Sequence, residues 1–133
     1  MNEDELIAKI LHETKTLAVV GLSPKEHRAA HIVARFLQGK GYKIIPVYPR
    51  EERILGEKVY RNLTGIKEPV DTVVVFRRSE EVMEPAQQAV KLKPKYFWMQ
   101  LGIENTEAEK LLKKNGISVI MDRCMKIEYA ANM

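Results

Sequence analysis

Residues 16–28 read TLAVVGLSPKEHR, an apolar run that ends at Gly21 and opens into a polar loop. The run 16–21 predicts a buried strand, and the apolar period of residues 28–40 predicts a helix directly after the loop. Glycine at position 21 permits a sharp turn and a close approach by another stretch of backbone. This strand, turn and helix are typical of a sheet whose strands alternate with helices.

The same alternation extends along the rest of the chain. Helices are predicted at residues 3–13, 28–40, about 85–92 and 106–115, the last starting at a capping box from Thr106 to Glu109, and strands at residues 16–21, 42–48, 71–76, 96–101 and 117–121. Residues 50–70 are expected to be loop-like, with a turn or short strand near residue 59. The tail from residue 122 is expected to be less regular.

This order of elements predicts an α/β fold: a Rossmann-like, five-stranded parallel sheet with helices on both faces. Because crossovers between parallel strands are right-handed, few strand orders remain. We expect the order 3-2-1-4-5, and a flavodoxin-like order of 2-1-3-4-5 is the close alternative. The chain shows no repeat and no linker rich in Pro, Gly or Ser, so residues 1–133 are expected to form one domain.

Composition narrows the class of protein. The chain has 45% hydrophobic and 30% charged residues, which is typical of a soluble globular protein, and no apolar run long enough to span a bilayer. Its net charge of +4 comes from well-mixed charges, and the basic cluster at residues 91–95 suits a solvated helix end, so no nucleic-acid partner is expected. The acidic first residues do not resemble a secretory signal, and the single cysteine, Cys124, cannot form an internal disulfide. These features predict a cytoplasmic protein without a membrane partner.

A parallel sheet directs attention to the loops that follow its strands, since ligands of such sheets bind beyond the carboxyl ends of the strands. The first loop combines Gly21 with the hydroxyl of Ser23 and the cations of Lys25 and Arg28. The start of the helix behind it offers free N–H groups and a partial positive charge. The loop therefore predicts a phosphate site, with an ordinary strand-to-helix turn as the alternative.

The later loops add basic and aromatic groups. Arg50, in the loop Tyr48-Pro49-Arg50, suits the ribose phosphate of NADP or coenzyme A, where NAD-binding domains commonly carry an acid. Taken alone, the run from Arg50 to Arg53 is more typical of a solvated cluster of charges. After the third strand, an arginine of the sequence Phe76-Arg77-Arg78 is a candidate contact for a diphosphate, and Phe76 for an adenine or the core. Gln100, at the end of the fourth strand, is either a contact for a polar ligand group or a satisfied edge amide.

Several chemistries are disfavoured by missing motifs. The chain lacks G-x-G-x-x-G, the P-loop, H-E-x-x-H and G-x-S-x-G. His27 and His31 are four residues apart but have no neighbouring carboxylate or thiolate, so no metal site is expected. Cys124 follows Arg123, with no histidine nearby in the sequence, and is expected to be a packed thiol rather than a nucleophile. We therefore expect no catalytic residues.

Linked motifs along the chain resemble the small CoA-binding proteins related to the CoA-binding domain of the succinyl-CoA synthetase alpha subunit and of ADP-forming acyl-CoA synthetases. The resemblance starts at VVGLSP (19–24) and continues through VARFL (33–37), GYKIIPVYPR (41–50), ILGEKVY (54–60), VDTVVVFRR (70–78), WMQLG (98–102) and MDRCMKIE (121–128). It covers nearly the whole chain.

The resemblance implies a Rossmann-like domain that holds coenzyme A. By this resemblance, the turn Gly21-Leu22-Ser23-Pro24 and the following helix start would meet the diphosphate, and Pro49 and Arg50 would flank the adenosine end. Phe76 and Arg77 would border the adenine and diphosphate, and Gln100 would lie toward the pantetheine arm. Three positions depart from the family pattern: Ala30 replaces a small hydroxyl residue, Tyr48 an asparagine and Tyr129 a histidine.

These observations predict a protein that binds coenzyme A or a CoA thioester without catalysis, as a carrier, sensor or regulatory module with a small-molecule partner. The alternative is an NADP-binding reductase or redox sensor. A side hypothesis is a mixed disulfide between Cys124 and the CoA thiol, if that cysteine lies at the mouth of the site.

Overall fold

A five-stranded parallel sheet forms the centre of the protein in the computed structural model, which describes all 133 residues. Its strands are β1 (Thr16–Val20), β2 (Lys43–Val47), β5 (Thr72–Val75), β6 (Tyr96–Met99) and β7 (Ser118–Ile120), and a separate small hairpin is formed by β3 (Arg53–Ile54) and β4 (Glu57–Lys58). The helices are α1 (Glu3–Glu13), α2 (Ala29–Gly39), α3 (Met83–Leu92), α4 (Thr106–Lys114) and α5 (Met125–Asn132). The predicted α/β class is confirmed.

The strands lie in the order β2-β1-β5-β6-β7. Counted within the sheet, this is 2-1-3-4-5, so the structure adopts the alternative order rather than 3-2-1-4-5. Pro46 gives the physical reason, because its ring nitrogen has no hydrogen to donate on the outer side of β2. Its carbonyl on that side accepts a hydrogen bond from the backbone N–H of Tyr60 at 2.9 Å. A proline is compatible with an edge strand but not with a central one.

The long connection from β2 to β5 explains how β2 remains at the edge. It folds into the β3–β4 hairpin and a 3₁₀ turn at Leu63–Gly65 instead of a crossover helix. Tyr60 forms a parallel bridge with Val47, which covers part of the outer edge of β2. The chain then passes back to place β5 on the other side of β1.

The sheet divides the core into two layers. Leu17 and Val19 of β1 point to the layer built with α1, α2 and α5, whereas Ala18 and Val20 point to the layer built with α3 and α4. Both faces of the central strands are buried, as expected for a parallel sheet covered by helices. No helix is both long and apolar enough to cross a membrane.

The N-cap of α4 and the whole of α5 differ from the sequence prediction. Asn105, not Thr106, is the N-cap of α4, and its Oδ1 accepts a hydrogen bond from the N–H of Ala108 at 2.9 Å. The tail predicted to be irregular forms α5, whose first N–H, on Met125, donates to Oε1 of Gln100 at 2.9 Å. This cap comes from a residue 25 positions earlier, so no local pattern announces the helix.

The pairing register of the strands places the candidate loops at one edge of the sheet. Val20, at the end of β1, is the register partner of Val47 in β2 and of Val75 in β5. The loops that begin at residues 21, 48 and 76 therefore leave the sheet at the same level and on the same edge.

Candidate functional site

A cleft with a volume of about 460 Å³ opens where β1, β2 and β5 end. It is lined by Gly21, Ser23, Lys25, Arg28, Ala29, Ala30, Tyr48, Arg50 and Phe76. The lining thus contains three cationic side chains and no carboxylate. None of the three cations makes an ion pair with a protein carboxylate, so their charge is available to an anionic ligand.

Gly21 forms the floor of the cleft, and only a glycine fits there. Its N–H donates to the carbonyl of Val47 at 2.9 Å, and its φ of +85° lies in the left-handed region. A Cβ at this position would lie 2.4 Å from the backbone oxygen of Phe76. The two loops can therefore pass each other closely only because residue 21 has no side chain.

The loop after β1 is held by its own side chains and by α2. Oγ of Ser23 accepts a hydrogen bond from the N–H of Lys25 at 3.1 Å, which leaves the hydroxyl proton free to donate. Nδ1 of His31 donates to the carbonyl of Ser23 at 2.9 Å. The imidazole thus contacts the loop backbone, and it is not placed to take a proton from the Ser23 hydroxyl.

The first turn of α2 faces the same cleft through Ala29 and Ala30. The first α2 residue whose N–H bonds within the helix is Ile32, which donates to Arg28 at 3.0 Å. This turn has no capping side chain and no acidic residue. Its unpaired N–H groups and the positive end of the helix dipole form an environment that favours phosphate.

The other predicted site residues lie outside the cleft lining. Leu22 is fully buried in the core, and Pro24 and Pro49 lie within the first and second loops without lining the cleft. Arg77 pairs with Glu84 at 3.5 Å, which directs its charge toward α3, and Arg78 is exposed before the 3₁₀ turn Ser79–Glu81. Of the predicted site residues, the cleft therefore brings together Gly21, Ser23, Lys25, Arg28, Tyr48, Arg50 and Phe76.

Gln100, which follows β6, and Cys124, which follows β7, both lie at the start of α5. Gln100 is buried, and its Oε1 caps α5, so this part of the amide is satisfied by the protein. Cys124 precedes α5 and is half-buried against the layer of α1, α2 and α5. Neither residue is part of the cleft lining.

Sequence reasoning anticipated the start of α2 and noted Ala30, but it did not name Ala29 as a lining residue or His31 as a contact of the loop. Ala29 and Ala30 line the cleft through their position in α2, and His31 steadies the loop through its ring. The missing capping residue and the absence of acids at the start of α2 were visible signals of an exposed, electropositive helix end. The contact of His31 with the Ser23 carbonyl needed the three-dimensional fold.

Comparison with known proteins gives a consistent result. Residues 15–130 match a family model described as "CoA binding domain". The chain is 43% identical over 124 residues to an uncharacterized protein, YneT, of Bacillus subtilis, covering 93% of this chain and 92% of that one. A 67-residue region, half of this chain, is 25% identical to 10% of an ADP-forming acetate–CoA ligase of Methanocaldococcus jannaschii.

A solved structure agrees over the full length. The cell-free protein ID.343 from Thermus thermophilus superimposes with a TM-score of 0.94 at 38% identity, covering 100% of both chains. The likeness therefore extends through the whole arrangement of strands, helices and loops described above.

Proposed function

The chain belongs to the family of CoA binding domains, and on that premise we propose that it binds coenzyme A or a CoA thioester in the cleft at the ends of β1, β2 and β5. The observation that carries this proposal is the cleft lining itself, with three unpaired cations, a free helix start and no carboxylate. Coenzyme A carries a diphosphate and a phosphomonoester, and the monoester alone has roughly −1.5 to −2 charges at pH 7. The donor set fits such a ligand.

The diphosphate is assigned to the loop after β1. Gly21 keeps the floor open, the Ser23 hydroxyl has a proton to donate, and Lys25 supplies charge. Arg28 and the free N–H groups of α2 complete the cradle. Donors from backbone and side chains that converge in this way are the usual means of holding a phosphate.

The adenosine end is assigned to the loop after β2. Tyr48 and Phe76 offer aromatic surfaces to a base, and Arg50 offers a guanidinium for the phosphomonoester. The pantetheine arm would then run toward Gln100. The alternative of NADP as ligand has no support from the relatives described above.

The proposed role is non-catalytic, as a carrier, sensor or regulatory module for coenzyme A. The cleft lining holds no carboxylate, imidazole or thiol that would serve as a general base or nucleophile. Of the two imidazoles in this segment, His27 is exposed and does not line the cleft, and His31 is bonded to a backbone carbonyl. Pull-down with and without CoA tests the signalling role, because a partner retained equally in both conditions contradicts it.

Isothermal titration with CoA, dephospho-CoA, NADP and NAD tests the ligand. We expect CoA to bind at least about tenfold more tightly than dephospho-CoA, as a hydrogen bond to a charged group contributes about 1.5–3 kcal/mol. Arg50→Met should remove most of this preference and leave the affinity for dephospho-CoA nearly unchanged.

Arg53→Met is the matched control, because Nη1 of Arg53 donates to the carbonyl of Gly56 at 3.1 Å within the hairpin and does not line the cleft. Equal affinity for CoA and dephospho-CoA would refute the role of Arg50. Tight binding of NADP with no response to CoA would refute the proposed function itself.

A further inference from the structure

Arg61 makes an unusual contact with the loop that carries Tyr48 and Arg50. Its Nη1 lies 2.8 Å from the carbonyl oxygens of Arg50 and Glu51 and 3.2 Å from that of Tyr48. Three carbonyls therefore converge on one cationic nitrogen. Arg61 itself is not part of the cleft lining.

The backbone of Tyr60, which precedes Arg61, is hydrogen-bonded to the edge of the sheet. The carbonyl of Tyr60, the preceding residue, accepts from the N–H of Tyr48 at 2.9 Å, and the N–H of Tyr60 donates to Pro46 at 2.9 Å. The backbone next to Arg61 is thus tied to β2 on both sides of Val47. From this fixed backbone, the guanidinium reaches the loop at residues 48–51, which makes few other hydrogen bonds.

The loop needs such an attachment. Glu51 has a φ of 71°, in the left-handed region that side-chain-bearing residues seldom adopt. Carbonyl oxygens that point to one place repel one another unless a cation or donor lies between them. Nη1 of the Arg61 guanidinium supplies a positive charge and two N–H donors at this point. A lysine ammonium ends one bond closer to the backbone, so it would fall short of the same position.

We propose that Arg61 is a positioning residue of the cleft: it holds the turn at residues 48–51 so that Tyr48 and Arg50 remain directed at the ligand. This inference rests on the proposed binding of coenzyme A. It assigns to Arg61 an effect that passes through Arg50, without contact between Arg61 and the ligand. Because the turn is already ordered in the free protein, ligand binding does not have to lose entropy by fixing the loop.

The first measurement is CoA affinity in Arg61→Lys and Arg61→Met. We expect both variants to bind CoA about three- to tenfold more weakly, the cost of immobilising one or two side chains. The preference for CoA over dephospho-CoA should shrink in both. If Arg61→Met keeps the affinity and preference of the unsubstituted protein, Arg61 does not position the turn for the ligand and the proposal is wrong.

A double-substitution cycle with Arg50→Met separates positioning from direct contact. In the Arg50→Met background, Arg61→Met should weaken CoA binding by less than about twofold, because coupled residues are not additive. Full additivity of the two effects would mean that Arg61 acts independently of Arg50, which overturns the proposed route through Arg50.

NMR relaxation of the ligand-free protein provides a readout that does not depend on CoA. Backbone order parameters of residues 50–52 should fall from a rigid value of about 0.85 to a clearly lower value in both Arg61 variants. Arg53→Lys, which alters another arginine-to-carbonyl bond in the same segment, should leave them unchanged. Unchanged order parameters of residues 50–52 in the Arg61 variants would refute the proposal that Arg61 holds this turn. If CoA fails to bind the unsubstituted protein, the proposed function fails, and the order parameters still decide whether Arg61 orders the loop.

Discussion

At the scale of single residues, Gly21 shows how a sequence position can be tied to the site by two separate requirements. Its backbone is in the left-handed region, and the space that a Cβ would occupy is taken by the Phe76 carbonyl. The first requirement concerns the residue's own torsion angles. The second concerns contact between two loops that are 55 positions apart in the chain.

Gly21→Ala should therefore destabilise the fold by about 2–4 kcal/mol, because backbone strain and a steric clash act together. CoA binding should weaken at the same time, since the loops after β1 and β5 must separate. Urea unfolding followed by the fluorescence of Trp98, the only tryptophan and fully buried, measures the first effect. Titration measures the second.

Gly116→Ala is the control for this prediction. Gly116 has a φ of +78°, but no heavy atom lies within 4 Å of its Cβ position. The substitution Gly116→Ala should lower the free energy of unfolding by the torsional penalty alone, about 1–2 kcal/mol. Equal losses in the two variants would show that the contact between Gly21 and Phe76 does not constrain the site.

The residues of the site differ in how far the sequence alone could predict them. Gly21, Ser23, Lys25 and Arg28 are neighbours in the chain, so a strand followed by a helix was enough to bring them together. Arg61 contacts a loop ten or more positions away, and the path of the intervening hairpin fixes that distance. Nothing in a charged surface arginine distinguishes it in sequence from its solvated neighbours.

At the scale of elements, strands and helices with local signals were predicted well, and those that depend on distant partners were not. α1 was predicted with its observed bounds, because its apolar stripe is regular. α5 was missed because its cap is supplied by Gln100. The edge position of β2 was signalled by Pro46, but a strand's neighbours are a property of the whole sheet.

The N-terminus of α4 offers a test of cap assignment. Asn105→Ala removes the acceptor for the Ala108 N–H and also the bond from Nδ2 to the carbonyl of Ser79 at 2.9 Å. We expect a loss of about 1–2 kcal/mol in the free energy of unfolding. Thr106→Ala, at the position that the sequence favoured as the cap, should change it by less than about 0.5 kcal/mol. The reverse ranking in urea unfolding would restore Thr106 as the cap.

At the scale of the whole molecule, two tyrosine hydroxyls join α1 to the remainder of the fold. Tyr42 donates to the carbonyl of Leu11 at 2.5 Å, and Tyr96 donates to Oε1 of Glu13 at 2.8 Å. Burial, followed by the charge of Tyr129, raises the pKa of Tyr42 to about 12. Burial, followed by the hydrogen bond and charge of Glu13, raises the pKa of Tyr96 to about 12.

Global stability should consequently fall in alkaline solution. The unfolded chain releases these protons near pH 10, whereas the folded protein retains them to about pH 12, so the folded state binds more protons in between and stability declines as pH rises. Tyr96→Phe loses a hydrogen bond at every pH but removes one of these titrations. Its stability deficit relative to the unsubstituted protein, measured by urea unfolding at pH 9, 10 and 11, should narrow steadily. A constant deficit would contradict the raised pKa of Tyr96.

The pairing of β1 affects how the chain folds while it is being synthesised on the ribosome. Both neighbours of β1 are supplied by later parts of the chain, β2 first and β5 only after the hairpin and 3₁₀ turn. At translation rates of about 5–20 residues per second, a nascent chain carries this half-paired, apolar strand for about one to five seconds. The length of the β2-to-β5 connection thus sets the interval during which a chaperone, or a stray strand from another polypeptide, has access to the centre of the future sheet.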